Sequence, residues 1–174
     1  MQRDYAVIAN WAPQHIEIVR DLWVRKVTRK FIIEKPMSVS YASLEWLREQ
    51  SRDHGLLFVA SMLKHFQGLD QHVRESSRSA ISSISVHSGA QCHSTNGSHW
   101  LDFATRTFGA EPLFVDASLR LDGINPRSGD LKFAGGYSAY QFPENKSLIM
   151  DFDNRSSMSV FVRCLSRDEE FQIS

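Results

Sequence analysis

The stretch Gly97-Ser98-His99-Trp100-Leu101-Asp102-Phe103-Ala104-Thr105-Arg106-Thr107-Phe108-Gly109-Ala110-Glu111-Pro112-Leu113-Phe114-Val115-Asp116-Ala117 carries the reading of the fold. It predicts strands over 100–104 and 112–117, joined by a hairpin around Phe108-Gly109-Ala110. A histidine then opens one strand, and an aspartate seventeen positions later ends the next. Antiparallel pairing would bring His99 and Asp116 together, where a carboxylate can hold an imidazole tautomer and orient the ring as a general base.

Further strands are predicted over 131–133, 147–152 and 158–165. Between them stand the turn clusters Asp122-Gly123, Asn125-Pro126, Ser128-Gly129-Asp130 and Asp153-Asn154. The serine-rich stretch 74–88 reads as a loop or short helix followed by a strand. Toward the N-terminus the period changes. Pro13 suits a first helical turn, and Ile16, Val19, Leu22, Trp23 and Val27 recur three and four apart, on one helical stripe. Lys35-Pro36 ends that region. Serines then precede a second amphipathic helix marked by Tyr41, Leu44 and Leu47 and broken at His54-Gly55. The apolar run 56–66 predicts a buried third helix, with Gly68 at its end. Helices first and strands second predict an α+β domain over 1–174, with N-terminal helices (about 13–78) packed on a C-terminal antiparallel sheet (about 81–170).

The 174 residues suit one domain, and 42% apolar, 11% aromatic and 23% charged residues describe an ordinary globular chain. Twenty basic and twenty acidic side chains cancel, which leaves no footprint for nucleic acid or an anionic membrane. No apolar run reaches the roughly 20 residues of a membrane span, and Met1-Gln2-Arg3-Asp4-Tyr5 does not read as a Sec signal. Cys92 and Cys164 alone make no disulfide framework and are not expected to form a required staple.

A nucleophile for the His99–Asp116 pair is sought at a helix N-terminus, where amides and macrodipole lower a thiol pKa and hold an oxyanion. The helix opening near Ser38–Ser43 is the candidate, and it holds serine. The order of Ser40-Tyr41-Ala42-Ser43-Leu44-Glu45-Trp46-Leu47, then Gly97-Ser98-His99-Trp100, then Leu113-Phe114-Val115-Asp116 resembles the papain-like effector hydrolases of bacterial pathogens. These are the YopT-type cysteine proteases and related glutamine deamidases. The resemblance implies a papain-like thiol hydrolase that acts on a host protein, needs no cofactor or metal, and is secreted by a non-Sec route or is otherwise cytoplasmic. It assigns Ser40 to the nucleophile position in place of cysteine, His99 to the base and Asp116 to the orienting acid, with backbone amides of Ser40 and Tyr41 on the oxyanion. Ser38 could take the place of Ser40. Serine there means either a replaced native cysteine or a protein without this chemistry, and protease and deamidase stay open because both transfer an acyl group to water.

Other readings stand beside this one. Ser40 also reads as a plain helix cap, His99 as a strand-end histidine and Asp116 as a turn residue, leaving a non-enzymatic protein–protein interaction domain as the alternative. His87, Cys92, His93 and His99 could offer metal ligands, but at the spacing of no familiar zinc module, and a polar loop is the plainer reading. Ser61-Met62-Leu63-Lys64 matches Ser-x-x-Lys without its partner motifs. Asp151-Phe152-Asp153-Asn154 offers too few oxygens for calcium, and Arg25-Lys26 with Arg29-Lys30 reads as a solvated basic face.

Overall fold

The computed structural model describes residues 4–55, 57–61, 71, 81–89, 92–123, 133–153, 156–166 and 170–173. The chain divides into two compact units, Met1–Leu63 and Lys64–Ser174.

The first unit alternates strand and helix: β1 (Ala6–Ile8), α1 (His15–Val24), β2 (Lys30–Glu34), α2 (Tyr41–His54) and β3 (Leu57–Ser61). The three strands pair in parallel in the order β1-β2-β3, Ile8 opposite Ile33 and Glu34 opposite Ser61. Parallel strands need crossover connections, and the two helices supply them. Pro13 sits in a 3-10 turn that leads into α1, and Ile16 and Val19 bury the expected stripe. They share a core with Ile8, Phe31, Ile33 and Leu47, against which Leu22, Trp23 and Trp46 pack. The Trp23 and Trp46 rings meet edge to face at 6.0 Å. Gly55 closes α2 in the left-handed region at φ 61°, as its place after His54 predicts.

The second unit holds β4 (Ile81–Ser88), α3 (Ser98–Phe108), β5 (Phe114–Gly123), β6 (Phe133–Gln141), β7 (Ser147–Phe152), β8 (Phe161–Ser166) and β9 (Glu170–Ile173). Its sheet runs β5-β6-β7-β4-β8-β9, antiparallel throughout except between β4 and β7. α3 packs on one face. Trp100, Phe103, Ala104 and Phe108 join Ile84, Val86, Leu148, Met150, Phe152, Val162 and Cys164 in one core. Full burial of each large apolar side chain contributes roughly 1.5–3 kcal/mol, so this face dominates the unit's stability. Cys92 and Cys164 are buried free thiols, and burial pushes Cys164 up to about 12. Among the described residues no helix is long and apolar enough to cross a membrane.

The papain-like architecture is corrected. The first unit is a parallel sheet with crossover helices, where the expectation was helices alone: β2 interrupts the predicted helical region, and β3 takes residues 57–61 of the predicted third helix, the rest of which, with Gly68, lies outside the described residues. A short apolar run such as 57–61 has no periodicity that separates strand from buried helix, and pairing with β2 decides it. Residues 100–104 are helix, because Trp100, Phe103, Ala104, Thr107 and Phe108 follow 3.6-residue spacing and all five are buried. Gly109 caps that helix at φ 66° and makes no hairpin. Strand β7 falls where it was expected, whereas β6 begins at Phe133 and β8 at Phe161.

Gly136 lies at φ 107°, and a Cβ there would run into the Ser118 carbonyl oxygen of β5. Gly109 also has a positive φ, but a Cβ would meet open space. Gly136→Ala is therefore expected to cost at least about 2 kcal/mol more than Gly109→Ala in urea unfolding, since both bear the left-handed penalty and only one adds a backbone collision. Equal losses would show that β5 yields freely.

Candidate functional site

Because β1, β2 and β3 are parallel, their carboxyl ends at Ile8, Glu34 and Ser61 open on one edge. Ligands of open α/β sheets bind outside such ends. The turn after β1 carries Asn10 and Trp11, and the turn after β2 begins with Lys35 and Pro36, joined by a cis peptide. One buried side chain ties the two turns together. His15, 1% exposed at the start of α1, places Nε2 2.9 Å from the Asn10 carbonyl oxygen and Nδ1 3.1 Å from that of Pro36. Both acceptors are carbonyls, so a neutral ring donates to one at a time and a charged ring to both. The Lys35 N–H donates to Glu34 Oε2 at 2.7 Å, which sets a carboxylate beside a half-buried lysine at the strand end. Asn10 Nδ2 donates to Gln14 Oε1 at 3.1 Å.

The second unit has its own polar cluster under the sheet. Cys92 accepts the backbone N–H groups of Thr95, Asn96 and Gly97 on its carbonyl, winding residues 93–97 into a π-helical turn ahead of α3. That turn presents His93, whose Nε2 lies 2.9 Å from the Gly136 carbonyl oxygen and whose Nδ1 lies 3.3 Å from Ser138 Oγ. The neutral tautomer with Nε2–H donating and Nδ1 accepting the Ser138 hydroxyl satisfies both contacts. The His93 ring stacks on Phe152 at 4.5 Å. Burial holds His93 below the ordinary imidazole pKa, against weaker opposing pulls from the Gly136 carbonyl and the Asp151 charge, while burial raises Tyr140.

The residues expected to form a relay occupy other settings. Ser40 is the exposed N-cap of α2, its side chain making no cap bond, and Ser38 Oγ donates to its carbonyl at 3.1 Å. Tyr41 is 76% exposed beside it, and among the described residues nothing encloses the two as an oxyanion pocket. His99 lies inside helix α3, 2% exposed. Asp116 lies within β5 and shares a sheet face with Ala139 and Ile149, the opposite face from the Leu148 and Met150 that pack against α3. The sheet therefore separates His99 from Asp116, because the assumed hairpin is a helix. His87 pairs with Asp151 at 3.9 Å on that outer face, and the Cys92 thiol accepts the Ala134 N–H at 3.3 Å. Among the described residues no three His, Cys, Asp or Glu side chains converge as metal ligands. Met62, Leu63, Lys64 and Asn154 lie outside the described residues. Sequence reading missed His15, Lys35 and the contact of His93 with Ser138. The signal for the first two was the pair of short β-rich runs at 6–8 and 30–34 ending in polar turns.

No protein-family model and no curated protein matches the chain. Solved structures do match it along nearly its whole length. UDP-N-acetylglucosamine 3-dehydrogenase GnnA from Acidithiobacillus ferrooxidans aligns at TM-score 0.74 and 16% identity, over 98% of this chain and 57% of that one. A dehydrogenase from Chromobacterium violaceum aligns at 0.74 and 16%, over 100% and 54%. A super-repressor mutant of Gal80p from Saccharomyces cerevisiae aligns at 0.76 and 11%, over 97% and 55%. The chain thus spans a little over half the length of these structures. Their likeness overturns the resemblance to papain-like effectors and, with it, the thiol-hydrolase and toxin expectations, and nothing in it supports a host-protein substrate.

The lowered His93 pKa sets a pH dependence. The unfolded ring titrates near 6.5 and the folded ring below it, so between those values the unfolded state binds more protons. The stability held by the neutral ring is complete above about pH 6.5 and falls as pH drops toward the folded pKa. Thermal melts from pH 7.5 to 5 should show this decline, and His93→Gln should flatten it. An unchanged slope in that variant would remove His93 as its source. With this geometry in place, the chain is a parallel-sheet unit and a six-stranded unit with the fold found in these dehydrogenases and in Gal80p.

Proposed function

We propose that the chain belongs to an oxidoreductase of the Gfo/Idh/MocA kind and handles the hydroxylated small molecule that such a protein oxidises or reduces. The observation that carries this reading is the carboxyl edge of β1–β3, where His15 locks two turns in place around Asn10 and Lys35. In the first unit Lys35 brings a positive charge to this edge, which can attract the oxygens of a hydroxylated ligand. The Glu34 carboxylate, bound to the Lys35 N–H, helps fix that turn.

A dinucleotide cofactor implied by such a fold does not fit this edge on its pyrophosphate side. The turn from β1 into α1 reads Ala9-Asn10-Trp11-Ala12-Pro13-Gln14, with no glycine for close phosphate approach, a proline that removes an amide, and acidic Glu17 in the first turn of α1. No G-x-G-x-x-G occurs in the 174 residues. The same misfit favours a second reading, a ligand-binding role without turnover, for which Gal80p shows that the fold also occurs in a repressor.

Thermal shift against millimolar polyols, free sugars and nucleotide sugars tests the proposal. A hydroxylated ligand is expected to raise the melting temperature, and Lys35→Met is expected to abolish that rise while leaving the ligand-free melt within about 2 °C. A rise that survives Lys35→Met, or no rise with any of these ligands, would sink the assignment of this edge. NADH fluorescence should stay unchanged on adding the chain, and tight binding would overturn the misfit.

A further inference from the structure

The π-helical turn ahead of α3 carries Asn96-Gly97, an asparagine followed by glycine. A backbone nitrogen that follows asparagine can attack the side-chain amide, and glycine hinders this least because it has no Cβ and reaches the required backbone angles freely. The other four asparagines precede Trp11, Pro126, Lys146 and Arg155. Three of those residues crowd the attacking nitrogen with a long or bulky side chain, and proline has no N–H. The fold closes the reaction at Asn96 in two ways. The Gly97 N–H donates to the Cys92 carbonyl oxygen at 3.2 Å, beside the N–H groups of Thr95 at 3.2 Å and Asn96 at 2.7 Å. Ring closure also needs an extended backbone at Asn96, whereas the turn follows a helical path, with Gly97 at φ −57° and ψ −34°.

The same turn is pinned to the sheet. His93 reaches the Gly136 carbonyl oxygen and the Ser138 hydroxyl of β6, and its ring rests on Phe152 of β7. Gly97 is buried, and a Cβ there would stand 3.5 Å from Met150 Cε of β7 and 3.7 Å from His93 Nδ1. The turn must therefore unwind before the ring can close. We propose that Asn96 is a latent modification site, converted through a cyclic imide at a pace set by opening of the π-helical turn. The Gly97 nitrogen bonds to Asn96 Cγ, and the side-chain nitrogen leaves as ammonia with the proton that the Gly97 nitrogen gives up. Water then opens the imide at either carbonyl. One opening leaves aspartate. The other carries the main chain through the side-chain carbons and adds one methylene, which breaks the convergence of N–H groups on the Cys92 carbonyl.

Peptide mapping by mass spectrometry tests this on the full chain, incubated at one mildly alkaline pH with and without urea. Asn96 is expected to convert fastest of the asparagines in urea and about tenfold or more slowly without it, because only the opened fraction reacts. Gly97→Ala suits the helical angles and meets only ordinary contacts, and it is expected to slow conversion in urea about tenfold or more. His93→Ala releases the turn from β6 and is expected to speed conversion severalfold in the folded chain, with circular dichroism checking the fold. If that variant does not fold, hydrogen exchange of the Gly97 amide in the unsubstituted chain decides. Conversion should be slowed at least as strongly as that exchange, since both need the bond to Cys92 broken. Equal rates with and without urea, a different asparagine leading in urea, undiminished conversion in Gly97→Ala, indifference to a folded His93→Ala, or exchange protection that exceeds the slowing of conversion would each overturn the proposal.

Discussion

Parallel pairing of β1, β2 and β3 is the constraint on which the first unit depends. Strands that run the same way cannot be joined by tight turns, so the chain must cross back through α1 and α2, and every strand must end on the same edge. Polar residues that sit far apart in sequence, Asn10 and Lys35 among them, are delivered to that edge by topology. His15 then turns proximity into order, because its two ring nitrogens reach the carbonyls of Asn10 and Pro36 from a buried position on α1. The candidate site is thus a product of strand direction first and of one imidazole second.

The second unit solves a different problem. Its six strands leave two broad faces, and α3 can cover only one. At the π-helical turn that leads into α3, the His93 ring reaches the Gly136 carbonyl and the Ser138 hydroxyl of β6. Burying a neutral imidazole against Phe152 makes its protonation unfavourable, so the same contact that packs the π-helical turn also makes it sensitive to acid. Toward β5 the cover runs out, and apolar side chains such as Val115 and Leu119 remain exposed on the last of the described strands.

The mistaken reading of residues 97–117 shows how a motif can be real as sequence and false as geometry. His99 and Asp116 stand at a spacing that would meet across a hairpin. Trp100, Phe103, Ala104, Thr107 and Phe108 instead recur with helical period, and that period places the histidine in α3 and the aspartate on the far side of the sheet. That helical spacing is present in the sequence itself, alongside a turn-like Phe108-Gly109-Ala110 that suits a hairpin as well as a helix end. Ser40 was legible as a helix cap, and the structure keeps it as one, exposed and without an activating pocket.

By itself the sequence determined the local elements whose signals are self-contained. These are the stripe of Ile16 and Val19, the stop at Gly55, strand β7, and the absence of a glycine-rich phosphate turn, each depending on neighbours within a few residues. Only the tertiary structure decided that 57–61 is a strand, that β1–β3 run parallel while β5–β9 are mostly antiparallel, and that His15 and Lys35 share one edge. The physical reason is that a short apolar run has no preferred partner of its own. Hydrogen bonding to a neighbouring strand distant in sequence sets its direction, and direction decides which turns meet.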